Sequence, residues 1–210
     1  MPPAAVIRGD DGVRRCWWGA SSAEYARYHD EEWGRPVTGD DALYERLCLE
    51  GFQAGLAWIT ILRKREGFRA AFAGFRIEEV ARFGRRDVAR LMRDAGIVRN
   101  RLKIEAAIEN ARRSLGLRDE LGSLAAFFAQ FREGRRPAPR RRGDLPATTP
   151  SSLAMSRELK KRGFRFVGPT TVYATMQACG LVNDHLVGCP VRGEVGREQK
   201  KAWAAAGSSP

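Results

Sequence analysis

No stretch of the chain approaches the roughly 20 consecutive apolar residues that a membrane-spanning helix needs. The opening MPPAAVIRGDDGVRR has no apolar segment of the kind a secretory signal carries. Both absences point to a cytoplasmic protein. Cysteine is scarce: Cys16, Cys48, Cys179 and Cys189 in 210 residues are too few for a disulfide scaffold, and inside a cell cysteine near histidine suggests metal instead. Histidine is scarcer still, with only His29 and His185. No convincing strand pattern and no internal repeat is visible. The expected fold class is therefore all-α.

Acidic residues are also in deficit. Lys and Arg number 37 against 25 Asp and Glu, a net charge of +12, which favours a polyanionic partner such as DNA. A basic protein from an arginine-rich proteome is the other reading of the same charge. Hydrophobic residues make up 43%, enough for a packed core.

Helices are predicted over 21–33, capped by Ser21 or Ser22, then from Asp40 or Asp41 to about Leu49. QAGLAWITILRK (53–64) is apolar nearly all round and reads as a buried helix. Short helices are expected over 66–75 and 77–83, and amphipathic ones over 85–95 and 101–116. Others follow over 123–132, from Ser151 or Ser152 to about Arg162, and from about Pro169 to Cys179, stopped by Gly180. GRRPAPRRRGDLPATTP (134–150) reads as a surface loop. Residues 1–13 and 191–210 read as flexible ends.

Two His and two Cys can complete one tetrahedral zinc site. His185 and Cys189 stand four apart, while Cys16 and His29 stand thirteen apart and depend on the fold to meet. A satisfied core histidine and an inert core thiol fit the same spacing. If a metal is held, four protein ligands leave no place for a catalytic water, so its role is structural. Cys48 and Cys179 lie in apolar helical contexts and read as core.

KKRGFRFVGPTT (160–171) joins two helices by a glycine-flanked turn. The free N–H groups that start the second helix form an anion site, flanked by Lys160, Lys161, Arg162 and Arg165. The phosphate candidates are Gly163, Arg165, Gly168 and Thr170. An ordinary helix–helix turn with a solvated basic face is the alternative. Lys103, like Lys160 and Lys161, reads as an exposed phosphate partner.

Aromatic residues crowd the first 33 positions: Trp17, Trp18, Tyr25, Tyr28 and Trp33, with Trp58 further on. Such rings suit a stacking pocket for a flat base, although each is equally a core residue. Glu50 interrupts LCLEGFQAGLAWITIL, and an unpaired buried carboxylate is costly. It either reaches solvent at a helix end or has a partner. Facing a pocket, it would accept a hydrogen bond from an exocyclic amine and attract a cationic base.

The stretches YHDEEWG (28–34), LCLEGFQAGLAWITILRKRE (47–66), DAGIVRNRLKIEAAIENAR (94–112) and KKRGFRFVGPTTVYATMQACGLVNDHLVGC (160–189) resemble the DNA-3-methyladenine glycosylase I family, within the helix-hairpin-helix glycosylase superfamily. The resemblance runs over about residues 14–190. It implies one glycosylase unit, with a helix-hairpin-helix core over about 36–180 and a zinc-binding part made of 14–35 and 181–190. It implies zinc ligands at Cys16, His29, His185 and Cys189, and a base pocket at Trp18, Tyr25, Tyr28, Trp33, Glu50 and Trp58, with Glu50 as the catalytic candidate. The implied substrate is 3-methyladenine in double-stranded DNA, and the implied enzyme is a monomer. Many superfamily members carry a catalytic Asp two residues before a His. Here that place is Asn183, and the family resembled also lacks the Asp. The lysine nucleophile of bifunctional members would fall on Thr170, which implies a monofunctional enzyme. A non-enzymatic zinc-stabilised DNA-binding module is the alternative.

Overall fold

The computed structural model describes residues 5–134 and 136–206. Two short strands, β1 (Val6–Arg8) and β2 (Arg14–Cys16), pair antiparallel, and everything else regular among the described residues is helical. In order come α1 (Ala23–Glu31), α2 (Asp40–Gln53), α3 (Trp58–Ala71), α4 (Ile77–Ala81), α5 (Arg85–Leu91), α6 (Arg101–Leu121), α7 (Leu124–Ala129), α8 (Pro150–Lys161), α9 (Pro169–Ala178) and α10 (Arg192–Ala206). Among the described residues no helix is long and apolar enough to cross a membrane.

The caps follow from local chemistry. Ser22, Asn100 and Ser123 each accept a backbone N–H three residues on, at the starts of α1, α6 and α7. Thr149, not Ser151 or Ser152, caps α8, in a reciprocal pair with Ser152. The first two residues of α2 cap other helices: Asp40 Oδ1 accepts Leu124 N–H at 2.8 Å and Asp41 Oδ1 accepts Ile77 N–H at 2.9 Å. A carboxylate at a helix N-terminus also opposes the helix dipole favourably. One core cluster, with Tyr44, Phe52, Phe68, Phe72 and Phe75 buried at its centre, joins α2 to α9. Tyr44 OH donates to Ala107 O at 2.8 Å, binding α2 to α6.

Three expectations are corrected. The helix expected over 53–64 is split: α2 runs on to Gln53, residues 54–57 are exposed, and α3 restarts at Trp58. Gly55 takes a φ of 82°, which L residues avoid. Lys103 is buried, not an exposed phosphate partner. Its Nζ donates to Phe52 O at 2.8 Å and Ala54 O at 2.5 Å, closing the end of α2.

The ends, the third correction, are ordered where described. β1 lies within the stretch expected to be loose, while residues 1–4 lie outside the described residues. The tail forms α10, with Val195 and Trp203 buried. Trp203 Nε1 donates to Gly180 O at 2.9 Å, and Gln199 Nε2 donates to Gly34 O at 2.6 Å and Val182 O at 3.0 Å. Arg35 pairs with Glu194 and Glu198. Gly180 has φ 72°, and a Cβ there would sit 2.6 Å from Gly34 O, so only glycine lets the two segments meet.

Candidate active site and metal centre

Helix α1 with the turns on either side of it, the end of α2 and the start of α3 bring six aromatic and acidic residues around one cavity of about 400 Å³: Trp18, Tyr25, Tyr28, Trp33, Glu50 and Trp58. Trp18 meets Trp33 edge to face at 4.9 Å and Tyr25 at 5.9 Å, and Tyr28 tilts against Trp58 at 5.4 Å. Tyr25 Oη accepts Ile59 N–H at 3.1 Å, fixing α1 to the start of α3. The rings therefore form a rigid wall before any ligand arrives.

Glu50 sits one turn from the end of α2, only 6% exposed. It makes no hydrogen bond or ion pair among the described residues. Burial pushes its carboxyl up to about 8, with Arg46 pulling weakly the other way. Arg46 is bound elsewhere, to Glu32 at 2.9 Å, and Glu32 also holds Arg65. Burial, and the charge of Glu50 beside it, raise the Tyr28 phenol as well, so Tyr28 stays a neutral hydroxyl. Trp58 Nε1 is buried without a partner among the described residues. The cavity thus has flat apolar walls and polar atoms lacking protein partners.

Behind Trp18 and Trp33 lie Cys16, His29, His185 and Cys189, all buried, with ligand atoms within 4.8 Å of one another. β2 delivers Cys16, α1 delivers His29, and the turn after α9 delivers His185 and Cys189. Gly19 makes room: a Cβ there would lie 2.6 Å from the His29 ring. His29 Nδ1 meets Asp30 Oδ1 at 2.8 Å and His185 Nε2 meets Trp33 O at 2.9 Å. Both partners only accept, so these nitrogens carry the protons, an assignment made from the network. The remaining nitrogens, His29 Nε2 and His185 Nδ1, face each other at 3.2 Å, an approach that a cation between them would bridge.

Cys189 Sγ lies 3.5 Å from His29 Nε2 and 3.7 Å from His185 Nδ1. Hydrogen bonding from Cys16 holds the Cys189 thiol below its usual range. Leu186 N–H donates to Cys16 Sγ at 3.3 Å. Zinc bonds of about 2.0–2.3 Å in a tetrahedron space ligand atoms about 3.3–3.8 Å apart; the separations of 3.2, 3.5 and 3.7 Å lie in or beside that range, while the set as a whole spreads to 4.8 Å.

The hairpin between α8 and α9 is held by α6 and by its own backbone. Asn110 accepts Arg165 N–H at 2.8 Å and donates to Arg165 O at 3.0 Å. Gly163 N–H donates to Lys160 O at 2.9 Å. Arg162 is paired with Glu120 and Glu158. At the start of α9, within the stretch where an anion is expected, Gly168 offers no side-chain cap. The Arg165 side chain and Thr170 remain exposed beside it.

A family model described as methyladenine glycosylase matches residues 17–192. The chain belongs to the methyladenine glycosylase family. It is 47% identical over 179 residues to DNA-3-methyladenine glycosylase 1 of Escherichia coli K12, covering 84% of this chain and 96% of that protein. It is 42% identical over 181 residues to DNA-3-methyladenine glycosylase of Haemophilus influenzae, covering 85% and 97%. A crystal structure of a variant 3-methyladenine DNA glycosylase I in complex with 3-methyladenine matches with a TM-score of 0.80 at 34% identity, covering 85% of this chain and 97% of that one.

The family match spans the whole pocket and three of the four metal residues, begins one residue after Cys16, and stops where α10 begins. All six pocket residues expected from the sequence line one cavity, and all four metal residues meet. Glu50 does not reach solvent at a helix end, and its partner is lacking. Sequence reasoning did not assign Gln53, Leu145, Ala174 and Gln177, which complete the lining with Trp17. Gln53 and Gln177 lie one turn along their helices from Glu50 and Ala174, a periodicity that could have found them. Leu145 carries no such signal. Asp184, next to Asn183, is buried and spent on Tyr173 OH at 2.6 Å, Gln177 Nε2 at 2.7 Å and Arg136.

Proposed function

We propose that this chain is a monofunctional DNA glycosylase that hydrolyses the N-glycosidic bond of 3-methyladenine in double-stranded DNA. The observation that carries the reading is Glu50, a buried carboxyl without a partner facing an aromatic cavity. A base cannot be attacked inside the stack, so it must be extruded into a pocket. The tryptophan and tyrosine rings offer their faces to it. N3-methylation gives the adenine a positive charge, and a cation beside Glu50 favours its ionised form. The carboxylate then accepts a hydrogen bond from the exocyclic amine and holds the charged base.

The charge also explains why no strong acid is needed. The bond between C1′ and the base nitrogen breaks with its electrons going to the ring, which leaves neutral. Water adds its oxygen to C1′ and releases a proton, giving an abasic site. The spent state of Asp184 agrees with a reaction that needs no Asp there. Lys103, buried near the cavity, is bound to two carbonyls, and Thr170 cannot form an imine, so no lyase step follows.

Cys16, His29, His185 and Cys189 would hold one structural zinc, which supplies cross-linking and no chemistry because four protein ligands close its shell. The four cysteines are free and buried, which suits a reducing, intracellular compartment. A zinc-stabilised module that only binds DNA would have no use for an unpartnered carboxylate among facing rings.

Incubation with methylated duplex DNA tests the reading. Free 3-methyladenine should appear, with both strands intact and no protein–DNA adduct after borohydride. Absence of released base, with duplex binding retained, would establish the binding module instead.

A further inference from the structure

We propose that Arg140 and Arg141, on the loop between α7 and α8, hold backbone phosphates beside the nucleotide whose base occupies the cavity. This rests on the glycosylase reading. The loop is pinned to the cavity rim at several points. Val187 N–H donates to Pro139 O at 2.8 Å. Asp144 Oδ2 accepts the backbone N–H groups of Arg140 at 2.8 Å and Arg141 at 2.9 Å. Leu145 lines the cavity and packs against the cluster of Cys16, Leu186 and Cys189. The Arg142 guanidinium lies 4.8 Å over Trp17, itself a lining residue.

The charge at this place is only partly neutralised, with Asp144 the one carboxylate beside Arg140 and Arg141 among the described residues. Among the described residues the Arg140 side chain makes no hydrogen bond or ion pair, and the Arg141 side chain is 79% exposed with Asp144 no nearer than 3.8 Å. Many other arginines are committed: Arg113 to Glu109, Arg118 to Glu78, Arg162 to Glu120 and Glu158. Guanidinium groups match phosphate oxygens in geometry and charge. Because the loop backbone is already fixed, binding a phosphate costs only side-chain freedom. Such contacts orient the duplex without reading its sequence.

The double variant Arg140→Glu/Arg141→Glu tests this on the full chain. The probe is a duplex with a tetrahydrofuran abasic analogue, titrated by fluorescence anisotropy at several salt concentrations. Affinity should fall at least tenfold, and the slope of log K against log salt should drop by roughly 2, about 0.9 for each phosphate no longer neutralised. Binding of free 3-methyladenine and the melting temperature should not change. Unchanged affinity and slope would overturn the proposal. If charge reversal lowers the melting temperature, Arg140→Gln/Arg141→Gln gives the same reading. A wild-type protein that binds duplex but not free base would sink the glycosylase reading while leaving the rim contact measurable.

Discussion

The cavity and the Cys/His cluster share the wall made by Trp18 and Trp33, yet they treat polar atoms in opposite ways. In the cluster every group has a destination. Each imidazole gives one nitrogen to Asp30 or Trp33 O and turns the other inward, and Cys16 Sγ takes a backbone N–H. In the cavity Glu50 makes no hydrogen bond or ion pair among the described residues, and the buried Trp58 Nε1 has no partner there either. Buried polar atoms are ordinarily paired, since leaving one bare costs free energy. The closed set can only hold the fold together. The open set costs stability in the free protein and recovers it when a complementary ligand arrives, which is the arrangement expected of a working site.

The largest effect should come from opening the closed side. Freshly purified protein should carry one zinc per chain, and Cys189→Ser or Cys16→Ser should abolish it. Structural zinc contributes on the order of 10 kcal/mol where it has been measured in small domains. A loss of about 4 kcal/mol or more, roughly 10 °C in melting temperature, is expected here without a change in which base is released. A metal-free protein whose melting point those variants leave untouched would remove the cluster from the comparison.

The closed side is also buttressed from outside the family match. α10 reaches back to Gly34, next to Trp33, and to Gly180 through Gln199 and Trp203. Trp203→Ala should cost about 3–5 kcal/mol, as large core truncations do, read as a fall in melting temperature. Excision by the protein that stays folded should keep its base preference.

On the open side, Glu50→Gln keeps the volume and removes the charge. Excision of 3-methyladenine and affinity for the free base should fall by about 1–3 kcal/mol, the range for a hydrogen bond to a charged group. Single-turnover kinetics matching wild type would make Glu50 a bystander of the cavity.

These two regions were unequally legible in the sequence. The ligand set is readable because only two histidines exist and each has a cysteine within reach, but the fold had to supply the 3.2 Å approach of His29 and His185. The aromatic residues of 17–33 announced a pocket by density. Glu50 stood out by its apolar neighbours, and only packing decided that it faces inward. What stayed hidden depended on long-range partners. The break at 54–57 is held by Lys103, about fifty residues away, so local apolarity wrongly favoured a continuous helix. α10 looked like a loose tail because its polar residues outnumber its anchors. Val195, Gln199 and Trp203 recur every four residues on one face, a pattern too sparse to read without the surface they cover. β1 and β2 are only three residues each, below the length at which alternation can be seen.

The smallest effect has the clearest sign. With its carboxyl raised to about 8, Glu50 keeps a proton in the folded chain that it loses near 4.5 when unfolded. Between those values the folded state binds more protons, so Glu50's contribution to stability falls as pH rises. The slope for one group cannot exceed about 1.4 kcal/mol per pH unit. Any water that enters the cavity solvates the charge and lowers the shift and the total together. The amide introduced by Glu50→Gln does not titrate, and every other group is common to both proteins. The stability difference should therefore favour Glu50→Gln, be least near pH 5, grow through neutrality and level off above pH 8. Chemical denaturation of both proteins across that range measures it. A difference that stays flat would mean Glu50 is ionised throughout, with a partner in the free protein, and the cavity would then be as closed as the cluster behind it.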